Sequence, residues 1–217
     1  MDNLREHINK LRKDFALQKL SEDSVSKNPI IQFEQWFSEA MQAQIPEMNA
    51  FDLATVSIDG QPSLRVVYLR DYSSEGFIFY TNYNSRKGID IKANPKVCMN
   101  FFWPQMERQI RIQGKAEKQK PEDSDLYFNS RPRGSQIGAW ASLQSSPVKS
   151  RDALDKLVDE ITKKYEGLEI PRPEHWGGYI IRPFRIEFWQ GRPNRLHDRI
   201  LYQLNENKEW EIERLSP

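Results

Sequence analysis

FDLATVSIDGQPSLRVVYLRDYSSEGFIFYTN, residues 51–82, decides the fold. Segments 51–58 and 62–70 are rich in β-branched and apolar residues, and Asp59-Gly60 between them suits the left-handed turn of a hairpin. A third strand, GFIFYTN at 76–82, follows at once. KVCMNFFW at 96–103 and ERQIRIQGKAEKQ at 107–119 read as two more, and strands near 178–190, 198–204 and 209–215 close the chain. Short strands joined by short turns predict an antiparallel barrel of Greek-key type, a mainly β (α+β) fold with peripheral helices.

The helices announce themselves by their caps. Asn28-Pro29 offers an N-cap and a proline at the first helical position, and Phe33, Trp36, Phe37, Ala40 and Met41 give the following helix a buried face that ends near Pro46. Ser85 caps a short helix running to about Ala93, and Pro121, Glu122 and Asp123 begin another. Ser150 to Tyr165 forms a third with Leu154, Leu157 and Ile161 inward. Leu4, Ile8, Leu11 and Phe15 have helical spacing in a charged segment, and Ser21 to Asn28 reads as a linker. With no internal repeat in sight, residues 1–28 are an arm and linker and 29–217 a single domain.

Composition narrows the function. The chain has 217 residues, 38% hydrophobic and 29% charged, enough for a real core without staples. Lys plus Arg is 32 and Asp plus Glu is 31, so the net +1 argues against a general nucleic-acid or anionic-membrane binder. Cys98 is the only cysteine, which excludes an internal disulfide. No secretory h-region and no apolar run of membrane-spanning length is present, so a cytoplasmic protein is expected. There is no G-x-G-x-x-G, Walker loop, C-x-x-C, H-E-x-x-H or G-x-S-x-G. His7, His175 and His197 are too dispersed for a zinc site, and no metal is expected.

What remains is a set of arginines among aromatics and amides. Arg65 and Arg70 share one predicted strand, and Arg86-Lys87 begin a helix, where free N–H groups and the dipole favour an anion. A phosphate suits that turn; so does a plain capped helix start with solvated side chains. Tyr127 and Arg131, four apart on one helix face, with Ser135 just beyond Pro132, are either a second phosphate grip or a surface arginine beside a core tyrosine. From 182 to 199 there are five arginines and no lysine, interleaved with Phe184, Phe188, Trp189 and His197. Arginine stacks on rings and forks to oxygen anions, so a planar phosphorylated guest fits; ordinary strand packing is the alternative, and Phe188 belongs to the core.

Ile186-Glu187-Phe188-Trp189-Gln190, four residues, then Arg195-Leu196-His197-Asp198-Arg199 resembles the signature of the pyridoxine (pyridoxamine) 5'-phosphate oxidases. RVVYLR at 65–70, FYTNYNSRK at 79–87, ERQIRIQG at 107–114, YFNSRPRGSQIGAWAS at 127–142 and QSS at 144–146 resemble that family in the same order, from about Pro29 to Pro217. The resemblance implies a split β-barrel homodimer with FMN at the subunit interface. It implies that Arg65, Val66, Tyr80, Thr81, Arg86, Lys87 and Gln109 hold FMN, with Gln144, Ser145, Trp189 and Arg199 reaching it from the other subunit. Arg70, Tyr127, Arg131 and Ser135 would hold the substrate phosphate, and Arg195 and His197 would be catalytic, over the pyridine ring. Arg12 would close an N-terminal lid on the substrate. The family usually has lysine at the position of Arg70, and some members have tyrosine where this chain has Phe15.

The implied reaction is oxidation of pyridoxine or pyridoxamine 5'-phosphate to pyridoxal 5'-phosphate. Hydride passes from C4' to flavin N5, with O2 as acceptor giving H2O2, and ammonia leaving from the amine. A split-barrel flavin reductase and a non-catalytic FMN or pyridoxal phosphate binding protein are the rival functions, and nucleic acid and membrane are not expected partners.

Overall fold

A computed structural model describes residues 6, 8, 10 and 14–217. Arg12, with Leu4 and Leu11 of the expected N-terminal helix, lies outside the described residues.

Helix α1 (Pro29–Gln42) is followed by β1 (Ala50–Val56), β2 (Pro62–Tyr68), β3 (Asp71–Ser73), β4 (Gly76–Asn82), α2 (Arg86–Ala93), β5 (Lys96–Trp103) and β6 (Arg108–Lys118). Next come α3 (Pro121–Ser130), α4 (Arg133–Ala141), α5 (Arg151–Lys164), β7 (Trp176–Gln190), β8 (Asp198–Leu204) and β9 (Trp210–Arg214). Among the described residues the nine strands form one sheet in the order β2-β1-β5-β6-β7-β4-β3, extended by β8 on β7 and β9 on β8. The fold is mainly β and antiparallel, as the strand spacing predicts.

The hairpin of β1 and β2 has Leu53 opposite Arg65 and Thr55 opposite Ser63. Its turn closes through Gly60 N–H to Ser57 O at 3.0 Å, with Gly60 at φ +84°, the conformation for which glycine was needed. Strand β7 is 15 residues long because it pairs with three strands, β6, β4 and β8. Trp176–Ile181 pairs with β4, and Arg185–Gln190 pairs with β8.

By contact density the chain forms two units. One gathers the residues up to 48, 100–112 and 185–217. Its core is aromatic: Phe33, Phe101, Phe188 and Tyr202 are fully buried, Trp36 meets Phe188 edge-on at 5.2 Å, and Phe33 lies 5.4 Å from Phe101. Arg108 is also buried here, its guanidinium 4.3 Å over the Trp36 ring and bonded to Glu39 (2.6 Å) and Gln190 (3.0 Å).

The second unit holds 49–99 and 113–184. Phe51, Leu53, Phe77, Phe79 and Ile181 fill its sheet face, and Phe128, Ile137, Tyr165, Ile170 and Trp176 form a cluster under the helices.

Four expectations need correction. Arg70 is not in the strand of Arg65: Leu69 N–H bonds Asn49 O (2.8 Å) while Arg70 N–H bonds Ile78 O (2.9 Å), so the backbone changes partners and β2 ends at Tyr68. Arg131 is not on the helix face of Tyr127. It follows α3 in extended conformation (φ −75°, ψ 148°), because Pro132 disfavours the helical region for the residue before it. Met41 is exposed at the end of α1, and Leu157 is exposed on α5, where Val158 and Ile161 carry the packing stripe instead. Strand β3 and helix α4 were not anticipated; β3 is only three residues, and α4 begins without a side-chain cap.

Candidate active site

The site in the second unit starts at the N-terminus of α2. Ser85 Oγ accepts from Gly88 N–H at 3.4 Å and donates to Asn82 O at 2.7 Å, so the cap fixes the helix start against the end of β4. The next two residues diverge. Arg86 reaches one turn forward along the helix to Asp90 (Nε to Oδ1, 3.0 Å), whereas Lys87 is buried. Its Nζ donates to Gln144 Oε1 (2.9 Å), Thr81 Oγ1 (3.2 Å) and Ser85 Oγ (3.3 Å). None of those oxygens carries a formal charge. Burial, with the nearby charge of Arg65, pulls the Lys87 pKa down to about 8.

Arg65 crosses the hairpin to bond Leu53 O (3.0 Å), Thr55 Oγ1 (2.7 Å) and Ser63 Oγ (2.7 Å). Behind it, Asp90 is 2% exposed, accepts from Thr55 Oγ1 at 2.7 Å and lies 4.0 Å from Arg65 Nη2. Burial lowers the Arg65 pKa, Asp90 opposes that, and Arg86 adds to it.

A second group of cations forms where α3 ends. The Arg131 guanidinium lies 4.5 Å over the Trp176 ring, and its Nη1 is buried with no hydrogen-bond partner. Burial lowers its pKa, and the like charge of Arg70 adds to that. Three rings flank it in nearly parallel planes: Tyr80 to Tyr127 at 3.8 Å, Tyr80 to Trp176 at 5.5 Å and Tyr127 to Trp176 at 6.2 Å. Burial, with Tyr127 beside it, pushes the Tyr80 hydroxyl up to about 12, so it remains a proton donor.

One cavity of about 820 Å³ collects both groups. Its lining includes Arg65, Val66, Arg70, Tyr80, Thr81, Arg86, Lys87, Tyr127, Arg131, Ser135, Gln144 and Ser145, all of them named from the sequence. Five cations face it and no Asp or Glu does. An excess of positive charge in a half-open cavity with aromatic walls suits a planar, phosphorylated molecule.

The first unit holds Gln109, Trp189, Arg195, His197 and Arg199. Trp189 and Arg199 face each other across the β7–β8 ladder. His197 lies against Trp189, ring centroids 4.6 Å apart, and Phe15 packs edge-on against both, at 5.6 Å from His197 and 5.8 Å from Trp189. The His197 Nδ1 accepts the Arg192 N–H at 3.1 Å, which leaves the ring proton of the neutral form on Nε2. Its pKa is lowered by burial and then by Arg195, against the pull of Asp198. Asn194 and Arg195 both have left-handed backbone (φ +58° and +61°), a strained turn that holds the exposed Arg195. Arg199 forks onto Glu187 (2.8 and 3.1 Å), which also takes Arg111 at 3.3 Å. Gln109 donates to Asn100 Oδ1 at 2.7 Å. No His, Cys, Asp and Glu cluster able to hold a metal occurs among the described residues.

Asp90, Glu187 and Trp176 escaped the sequence reading. The i, i+4 spacing of Arg86 and Asp90 was a legible sign for the first. Glu187 stands within the signature, but its partner emerges only when β7 and β8 pair. Nothing in the sequence brings Trp176 to Arg131, 45 positions away.

Comparison with known proteins gives this geometry a family. Residues 37–165 match the family described as pyridoxamine 5'-phosphate oxidase, and 176–217 match the pyridoxine 5'-phosphate oxidase C-terminal dimerisation region. A pyridoxine/pyridoxamine 5'-phosphate oxidase of Nostoc sp. (strain PCC 7120) is 53% identical over 207 residues, 95% of this chain and 97% of that one. Among solved structures, PhzG from Burkholderia lata 383, in complex with tetrahydrophenazine-1-carboxylic acid, superposes with a TM-score of 0.88 at 29% identity, covering 94% of this chain and 100% of that one. A pyridoxamine 5'-phosphate oxidase-related, FMN binding protein from Nostoc punctiforme PCC 73102 shares the fold with a TM-score of 0.67 at 18% identity, covering 85% and 97%. With its sequence matched along nearly the whole length and its strands in the same split-barrel arrangement, the chain belongs to the pyridoxine/pyridoxamine 5'-phosphate oxidase family of oxidoreductases.

Proposed function

We propose that the protein oxidises pyridoxine 5'-phosphate and pyridoxamine 5'-phosphate to pyridoxal 5'-phosphate with FMN as its cofactor. The observation that carries this is the cavity with five cations and no carboxylate. Its cations fall into two sets by the charges they feel: Lys87 responds to Arg65, and Arg65 to Arg86, while Arg131 responds to Arg70. Two sets in one cavity suit two phosphates, one on the cofactor and one on the vitamer.

Flavin mononucleotide fits the first set. Lys87 is a buried ammonium with only neutral acceptors, and Arg65 beside it is held by the hairpin, so a phosphate would supply the missing counter-charge. Arg86 and Thr81 would complete that grip, with Val66 and Tyr80 beside the ring system and Gln109 on its polar edge. Gln144 and Ser145, expected from the sequence to reach the flavin of the other subunit, line the same cavity as Lys87 in this chain, with Gln144 bonded to Lys87, and would join the grip from within it. The vitamer phosphate would meet Arg131, Tyr127, Ser135 and Arg70.

When bound, FMN supplies a hydride acceptor for the vitamer C4' carbon and returns the electrons to O2 as H2O2. The protein's share is geometric. The phosphate anchors fix the vitamer in place, and the aromatic wall excludes water from one side of the cavity. Arg195 orients the ring's polar groups, and His197, neutral and protonated at Nε2, donates a hydrogen bond to the substrate. From the amine, oxidation leaves an imine that water hydrolyses to the aldehyde, with ammonia released.

The C-terminal match to a dimerisation region supports a homodimer, with Trp189 and Arg199 reaching the flavin of the partner subunit. Leu64, Val66 and Tyr68 form an exposed apolar row on β2, at the end of the strand order, where a second copy would cover them. No described helix is long and apolar enough to cross a membrane.

The test is the visible spectrum of the purified protein without air, before and after pyridoxine 5'-phosphate, and again after air is admitted. A flavin band that bleaches with the vitamer and returns with oxygen is expected. A flavin band indifferent to the vitamer would move the function to a reductase or carrier, and failure to take up FMN would overturn it.

A further inference from the structure

We infer that Trp176 is a positioning residue that sets the affinity for the substrate phosphate, by holding the guanidinium of the cavity-lining Arg131 flat against its ring. The inference rests on the reading of Arg131 as the vitamer's phosphate anchor. Arg131 has an unusual environment for an arginine. It follows α3 in extended backbone, its Nη1 is buried without a hydrogen-bond partner, and no carboxylate lines the cavity it faces. The charge of Arg70 lies close enough to push against it. A guanidinium in that position would swing toward water or toward an acid unless something held it.

The indole of Trp176 is the feature that does so. Its ring lies 4.5 Å below the guanidinium carbon, closer than the 5.7 Å of Phe128, and tryptophan offers the strongest π face to a cation. The indole in turn cannot tilt. It is 7% exposed, stacks within 12° of Tyr80 and within 5° of Tyr127, and meets Phe128 edge-on at 5.2 Å. Its place at the first position of β7, opposite Asn82 of β4, ties this wall to the strand that ends at the Ser85 cap. The π face satisfies the cation without neutralising it, so the charge and hydrogen-bonding capacity of the guanidinium are kept for an arriving anion. An Asp or Glu in the same place would hold Arg131 equally well and consume that capacity.

A residue that only presets Arg131 contributes equally to substrate and transition state, so its loss should raise KM and spare kcat. The test uses FMN-loaded protein with pyridoxine 5'-phosphate as substrate and pyridoxal 5'-phosphate as an equilibrium ligand. Trp176→Leu should raise KM and the pyridoxal 5'-phosphate Kd about tenfold, with kcat within about twofold and FMN affinity unchanged. Trp176→Phe, which keeps a ring and guards against a folding defect, should recover most of the loss. In an Arg131→Leu background, Trp176→Leu should add nothing, because the group it positions is gone. Equal losses from Trp176→Leu with and without Arg131 would overturn the inference, as would a fall in kcat with KM unchanged. If Arg131→Leu alone leaves KM at the wild-type value, it is the anchor reading that fails, and the two failures are thereby told apart.

Discussion

Lys87 donates its ammonium to the side-chain oxygen of Gln144 across 2.9 Å, and its two other partners are the hydroxyls of Thr81 and Ser85. A buried cation coordinated by neutral oxygens is an incomplete arrangement, and under the proposed function the phosphate of FMN would complete it. Its pKa of about 8, against an ordinary 10.5, gives that incompleteness a pH signature.

Between those two values the unfolded chain keeps a proton that the folded, FMN-free protein has lost, so the unfolded state binds more protons and the Lys87 contribution to folding stability rises with pH from about 8 to 10.5. Phosphate binding runs the other way, because a dianion favours the ammonium. Above about pH 8 each FMN bound should take up close to one proton, and its Kd should climb by up to about tenfold per pH unit. Calorimetric titration of FMN into the apoprotein in buffers of different ionisation enthalpy measures the proton count. A Kd flat through this range would contradict the assignment.

Lys87→Met should separate stability from binding. It removes a buried charge that lacks an acidic partner, so the FMN-free protein should melt no lower than wild type, while FMN affinity falls about tenfold to a hundredfold. Thermal scans with and without excess FMN test both parts, and the stabilisation by ligand seen in the wild type should shrink in the variant.

Arg195 sits on two successive left-handed residues and is itself exposed, so replacing its side chain should leave the fold intact. Arg195→Leu is expected to lower turnover by about a hundredfold or more with FMN still bound at the wild-type level. Wild-type turnover in this variant would remove Arg195 from the chemistry.

The α2 cap offers a structural prediction. Ser85→Ala loses the cap to Gly88 N–H and the hydroxyl beside Lys87, and should cost about 1–2 kcal/mol, read as a drop of a few degrees in thermal midpoint. Gly88→Ala should be far worse. An added Cβ would stand 2.1 Å from Tyr83 O, so the helix start must move away from β4, and FMN retention should be lost together with stability.

The strands at 51–56, 76–82 and 96–103 and the helix starts at Asn28 and Ser85 were legible because each depends on neighbours in sequence: alternation, a turn pair, a capping side chain. The pre-proline break at Arg131 was equally local and was overlooked. Leu157 and Met41 show the limit of periodicity: the helical repeat finds the apolar stripe, while its edge depends on what packs against it.

By itself the sequence determined which residue types were available: arginines among aromatics and amides, with few lysines near the chain end, a lone cysteine, and the spaced signature shared with a family. Tertiary structure alone decided how those charges are balanced. Asp90 answers Arg65, Glu187 answers Arg199, and Trp176 answers Arg131 from 45 positions away, while Lys87 is left with neutral oxygens. The physical reason is range. Turns and caps are set by bonds reaching a few residues, whereas the desolvation and pairing of a charge depend on everything folded around it, and sequence separation says little about that.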